Sequence, residues 1–228
     1  DLFMVIKDKI HRAGPKSKSS GPGMLTDSAP PRRLTFFSRV VIRTSLFLIL
    51  AGAALIFCVE LFNDGWRNAS FSERVLAALF QSVTSRTAGF ATSDMARFSD
   101  VTLLLTMLLM FIGGSPGSSA GGIKTTAFRI LCGNLLSNLR GHSQVIVAGR
   151  AMGAQTRNRA VQLFSYSLLT VMAATLALMV TENGVVHHGG ATVPFLGLFF
   201  EVVSALATVG LSINLTPQLS SAGKLILC

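Results

Sequence analysis

Two short strings hold the chemistry this sequence can perform: Thr87-Ala88-Gly89-Phe90 and Thr208-Val209-Gly210-Leu211. Neither contains an acid, a base or a nucleophile set in a catalytic arrangement. A Thr-x-Gly string offers its backbone instead, a row of carbonyl oxygens able to replace the water shell of a cation. Taken singly, each string also fits a loop turn, where glycine supplies positive φ. Two features favour cation coordination. Each string follows an apolar segment, Phe71–Ser85 or Val193–Ala205, too short to cross a bilayer but long enough for a re-entrant half-helix. The chain also repeats itself with a period of 121, which lays Gly89 over Gly210, Ser99 over Ser220 and Leu104 over Leu225.

A third stretch is Gly113-Gly114-Ser115-Pro116-Gly117-Ser118-Ser119-Ala120-Gly121-Gly122, followed by Ile123 and Lys124. Five glycines and a proline in ten residues do not sit in a regular helix. Gly113, Gly117 and Gly121 could be Gly-x-x-x-Gly helix-packing grooves. A nucleotide loop is not met, because Ile123 separates Gly122 from Lys124 and no strand precedes it. Broken backbone at membrane depth is tolerated where it lines a cavity or is buried in protein, which points to a gate. Lys124 has two readings, snorkelling to the interface or contact with the pore or the loop.

The elements that carry these strings are membrane spans. Among 228 residues, 50% are hydrophobic and 13% charged, with a net charge of +10. Soluble domains carry roughly 25% charged residues. The mean hydropathy is +0.57 and the pI about 10.6. The basic residues lie between apolar runs, not on a soluble face, so nucleic acid is excluded as a partner and membrane lipid expected. Uncharged runs cover Thr44–Val59 (16 residues, extended by its apolar flanks), Val101–Ile123 (23) and Ala160–Thr181 (22). A spanning helix needs about 20. The glycine-rich stretch interrupts the second run. Residues 1–39 read as a basic linker, with glycine, proline and serine from Gly14 to Pro31. Arg129, Arg140, Arg150, Arg157 and Arg159 form a second basic, acid-free stretch. By the positive-inside rule both are cytoplasmic.

The remaining candidates read blandly. Cys58, Cys132 and Cys228 are odd in number and far apart, so no disulfide framework or zinc site is expected and they read as small buried thiols. His187-His188 has no ligand cluster around it, so no metal site is expected. Asn68-Ala69-Ser70 and Asn214-Leu215-Thr216 match a glycosylation triplet that is common by chance. The chain opens at Asp1 without Met and stops within Leu225-Ile226-Leu227-Cys228, so it reads as a piece of a longer protein.

With the motifs Ser85-Arg86-Thr87-Ala88-Gly89-Phe90, Gly114 to Thr126, and Phe200-Glu201-Val202-Val203-Ser204-Ala205 with Thr208-Val209-Gly210-Leu211-Ser212, the chain resembles the Trk/Ktr/HKT potassium transporter superfamily. It is most similar to the bacterial KtrB/TrkH-type translocating subunits. The resemblance covers most of residues 40–228 and implies an all-α integral membrane fold. Units of span, re-entrant half-helix with filter strand, and span surround a pseudo-symmetric pore. Family members have four units, and the two here resemble the third (40–133) and fourth (161–228), joined by a connector at 134–160. The resemblance implies that Thr87, Ala88, Gly89 and Phe90, with Thr208, Val209, Gly210 and Leu211, are two of four filter strands for K+. It implies that Gly113–Ile123 is the intramembrane gating loop. It also implies a homodimer and a cytoplasmic nucleotide-binding regulatory ring, in a plasma (inner) membrane. Two strands cannot close a four-sided filter, so this chain alone is not expected to conduct. The fourth unit's second span breaks off about a dozen residues in, short of the ~20 needed, and the family's arginine there cannot be placed.

Arg86 stands awkwardly beside a cation filter. The expectation is that it points behind the filter and pairs with Glu201. The rival reading from another class is a non-transporting scaffold assembled through Gly-x-x-x-Gly helices, which does not call for a repeated Thr-x-Gly.

Overall fold

In the computed structural model the described residues are 36–62, 70–86, 88–92, 95, 98–141, 146–147, 150–182 and 195–228. Most of the basic linker, Thr87 of the first string, the His187-His188 pair and Asn68 lie outside them.

The first described element is α1, Phe36–Glu60, whose 25 residues include no proline. At ~1.5 Å per residue it is roughly 37 Å long, enough for a hydrocarbon core of about 30 Å. Helix α2 (Phe71–Thr84) has 14 residues and starts at a capping box, in which the Ser70 amide donates to Glu73 Oε2 at 2.8 Å. Helix α3 (Asp100–Phe111) starts at Ser99, whose hydroxyl accepts from the Thr102 amide. It stops where the glycines begin, and α4 (Thr125–Leu139) resumes beyond them. A two-stranded antiparallel ribbon follows, β1 (Ile146–Val147) on β2 (Arg150–Ala151). Helix α5 (Ala154–Glu182) has 29 residues. Helix α6 (Phe195–Leu206) has 12, about 18 Å at ~1.5 Å each. A 3-10 turn at Thr216–Gln218 leads into α7, Ser221–Leu227. The fold is thus helical, apart from the small ribbon between α4 and α5.

Helix α6 lies at the centre of the main core. Leu198, Phe200, Val202 and Val203 pack with Leu103, Met107 and Met110 of α3 and with Val171 and Leu178 of α5. Helices α1 and α5 are the two described helices long and apolar enough to cross a membrane. Their outer faces stay open: Leu169 is 69% exposed and Val180 79%. So continuous an apolar face is stable against lipid and a liability in water. The cysteines are not the buried thiols the sequence suggested: Cys58 on α1 and Cys228 are exposed, because no other described element covers them, and Cys132 on α4 is partly buried.

The repeat is carried by buried carboxylates. Glu60, at the end of α1, is fully buried and accepts from the Ser99 amide and hydroxyl at 3.3 Å, and from the Thr102 hydroxyl. Glu182, at the end of α5, accepts from the Ser220 amide at 3.2 Å and hydroxyl at 2.6 Å. Glu60 therefore pins the start of α3 and Glu182 the start of α7, where a negative charge meets the helix N-terminus favourably. Hydrogen bonds to a charged group contribute about 1.5–3 kcal/mol each, offsetting part of the cost of burying a carboxylate.

Candidate functional site

Helices α2 and α6 both end by turning the chain back on itself, and a hydroxyl closes each turn. In the first unit the amides of Ala88 and Gly89 donate to the Thr84 carbonyl at 3.2 and 3.3 Å. The Thr84 hydroxyl accepts from the Phe90 amide at 2.9 Å and donates to the Phe90 carbonyl at 2.5 Å. In the second unit the Thr208 and Val209 amides donate to the carbonyls of Ala205 and Ser204. The Ser204 hydroxyl donates to the Leu211 carbonyl at 2.6 Å. Gly89 and Gly210 both sit at positive φ, 71° and 84°. Each string thus follows the C-terminal, negative end of a half-helix.

The two strings meet. A Cβ on Gly89 would lie 2.0 Å from the Val209 carbonyl oxygen, so side chains are excluded there. Around Gly210 nothing lies within 4 Å of that position. Ala88, Phe90, Thr208 and Gly210 are exposed, and Val209 and Leu211 are buried.

The segment from Gly113 to Lys124 folds as a loop against the second string and beside Arg86, which precedes the first. Its ends are drawn together, since the Ile123 amide donates to the Phe111 carbonyl at 2.9 Å and the Thr125 amide to the Gly114 carbonyl at 3.2 Å. The Lys124 ammonium donates to the carbonyls of Ser118 (3.1 Å) and Ala120. Lys124 thus contacts the loop. The Gly121 amide donates to the Thr208 hydroxyl at 2.7 Å. Pro116, Gly117, Ser118 and Ser119 are exposed, while Gly114, Ser115 and Gly122 are partly buried and Gly113 and Ala120 are buried. Because Gly113, Gly117 and Gly121 lie in this loop and not along a helix, they present no helix-packing groove.

The expected pair of Arg86 and Glu201 does not form. The Arg86 guanidinium donates to the carbonyls of Ser45 in α1 (3.1 Å) and Gly113 in the loop (3.3 Å). Its Nε is buried without a partner. Glu201 accepts from the Ser212 hydroxyl at 2.6 Å, the Ile213 amide at 3.1 Å and the Thr216 hydroxyl. The physical reason is proximity. Glu201 finds three donors in the return strand of its own unit, while Arg86 finds carbonyls, one of them freed by the helix break at Gly113. Both groups keep a structural role, with different partners. Sequence reasoning also missed Glu60 and Glu182. Their signal was a spacing of 122, nearly that of the serines they hold.

Known proteins resemble this chain in sequence and in fold. Residues 8–228 match the family model described as TrkH, cation transport protein. The chain is 35% identical over 196 residues to the potassium/sodium uptake protein NtpJ of Enterococcus hirae, covering 86% of this chain and 42% of that protein. It is 37% identical over 193 residues to the Ktr system potassium uptake protein D of Bacillus subtilis, covering 85% and 41%. The crystal structure of the potassium transporter TrkH from Vibrio parahaemolyticus superposes with a TM-score of 0.61 at 23% identity, covering 81% of this chain and 39% of that one. The chain therefore spans less than half the length of these curated relatives.

Proposed function

The chain belongs to the TrkH family of cation transport proteins, and from that premise we propose that it supplies two of the pore units of a potassium uptake subunit. K+ loses its water to carbonyls of Thr87–Phe90 and Thr208–Leu211, completed by strands from the rest of the protein. The loop Gly113–Ile123, with Lys124 gathering its carbonyls, blocks the path beneath and moves aside on activation. Uptake linked to Na+ fits the potassium/sodium title of the enterococcal relative. The family resemblance places the subunit in the plasma membrane with its basic loops in the cytoplasm. It would act there as a homodimer beneath which a nucleotide-binding ring docks.

The observation that carries this reading is the matched pair of positive-φ glycines, Gly89 and Gly210, each following a half-helix whose turn is closed by a hydroxyl. Carbonyl strings need such a turn to face a cation, and lipid-exposed backbone would not tolerate it. The test is rubidium and sodium uptake by the full-length parent in cells lacking their own potassium uptake. Gly89→Ser should relax or abolish selectivity for rubidium. Uptake unchanged by Gly89→Ser would remove the filter assignment, and no uptake by inserted protein would remove the transporter.

A further inference from the structure

Thr208 is a backbone outlier with a purpose that its string does not by itself explain. Its φ is 53°. A β-branched residue in the left-handed region is a genuine outlier, and such strain costs roughly 1–3 kcal/mol. Asn214, the other non-glycine described at positive φ, belongs to a type that tolerates it. Glycine at position 208 would relieve the strain, so the threonine side chain must return something.

What it returns is the contact to the loop. The Thr208 hydroxyl accepts from the Gly121 amide at 2.7 Å, joining residues 87 positions apart. The loop backbone is pressed in at that point. A Cβ on Gly121 would lie 2.5 Å from the Leu206 carbonyl oxygen and 2.8 Å from the Ala207 carbonyl carbon. Behind Gly121 the Lys124 ammonium ties Ser118 and Ala120 together, so the segment is braced. On the other side Thr208 is backed by a fixed strand, since Glu201 holds Ser212, Ile213 and Thr216. The contact therefore joins two braced pieces through one hydrogen bond.

We infer that the Thr208 hydroxyl is a latch holding the gate loop closed against the second filter strand, so that loop opening and cation occupancy of the filter are linked. This rests on the filter-and-gate reading above. When the loop leaves, Gly121 gives up its acceptor and Thr208 loses the bond that compensates its strained φ. The strand is then free to relax. A cation that orders the strand favours the conformation in which the hydroxyl meets Gly121, and by reciprocity the docked loop favours cation binding. Thr208 acts on the gate as a positioning residue.

The experiment uses the full-length parent in membrane vesicles, with Cys58, Cys132 and Cys228 and any others changed to serine. Ser119→Cys places a thiol on the exposed tip of the loop. Its rate of modification by a charged thiosulfonate from the cytoplasmic side reports loop opening without activation. Thr208→Val, which keeps shape and removes the hydroxyl, should raise that rate about fivefold, the scale of one net hydrogen bond. Thr208→Ser should restore it. Rubidium should slow modification in the parent and in Thr208→Ser, but not in Thr208→Val. A parental rate in folded Thr208→Val overturns the latch. Should Thr208→Val fail to insert, the parent alone decides, because a rate indifferent to rubidium overturns the linkage. Gly89→Ser and Gly210→Ser are read separately by uptake selectivity. If they leave it intact, the underlying filter reading fails, whatever the thiol shows.

Discussion

The two strings share a backbone course and differ in what stands behind them. With one residue inserted before the second glycine, Phe80-Gln81 in α2 lies over Phe200-Glu201 in α6, so positions 81 and 201 are equivalent within the repeat. Glu201 is buried and holds the return strand through three donors. Gln81 is equally buried, but among the described residues its amide donates to the Met95 sulfur alone, at 3.5 Å. Sulfur is a weak acceptor. The second string is therefore fixed to its own unit. The first leans on its neighbours, on Val209 through Gly89 and on α1 and the loop through Arg86. One repeat serves as the reference against which the other, and the glycine-rich loop, are set.

The largest break in this comparison should come at the glycines. Both have positive φ, which costs a side chain about 1–2 kcal/mol, close to tenfold in a rate. Gly210→Ala meets open space in this chain and should lower rubidium uptake by about that factor. Gly89→Ala adds a collision at 2.0 Å with the Val209 carbonyl and should abolish uptake. Equal losses in the two variants would show that the contact between strings does not matter for transport.

Next in size is Glu201→Gln. An amide offers one acceptor oxygen where the carboxylate offers two, and turns N–H toward donors on the return strand. The loss should be about 2 kcal/mol, the scale of a charge-assisted hydrogen bond. It should be seen as a lower melting temperature in detergent and a smaller rubidium-to-sodium uptake ratio. Unchanged stability with normal selectivity would deny the second unit its role as the fixed reference.

Much of this was legible in the sequence because it depends on local pattern. Uncharged runs mark α1 and α5, and the glycine-rich stretch separates α3 from α4. The offset of 121 aligns Gly89 with Gly210, whose matched φ follows from the same local turn. What was not legible depends on who reaches whom. Charge alone suggested Arg86 with Glu201. A guanidinium has five donors and is equally served by carbonyls, and an acid followed by Ser212 and Thr216 has donors of its own nearby. Glu60 and Glu182 read as ordinary acids at the ends of spans. Only the three-dimensional packing shows that they turn inward onto Ser99 and Ser220. The latch at Thr208 was hidden for a similar reason, since no sequence pattern announces a strained φ in a threonine.

The smallest effect should be at Gln81, and it sharpens the comparison because so little is expected. Gln81→Leu removes an amide whose described hydrogen bond is a long one to sulfur. It puts an apolar side chain of similar size beside Met95. Replacing a poorly satisfied buried polar group by an apolar one is nearly neutral or stabilising, and a volume-conserving exchange costs under about 1.5 kcal/mol. The melting temperature should move by no more than a few degrees for a change of ~1 kcal/mol, and the uptake ratio should stay near the parent's. A loss as large as that from Glu201→Gln would mean that position 81 braces its string as firmly as position 201 does. The asymmetry between the two units would then be one of chemistry alone and not of stiffness.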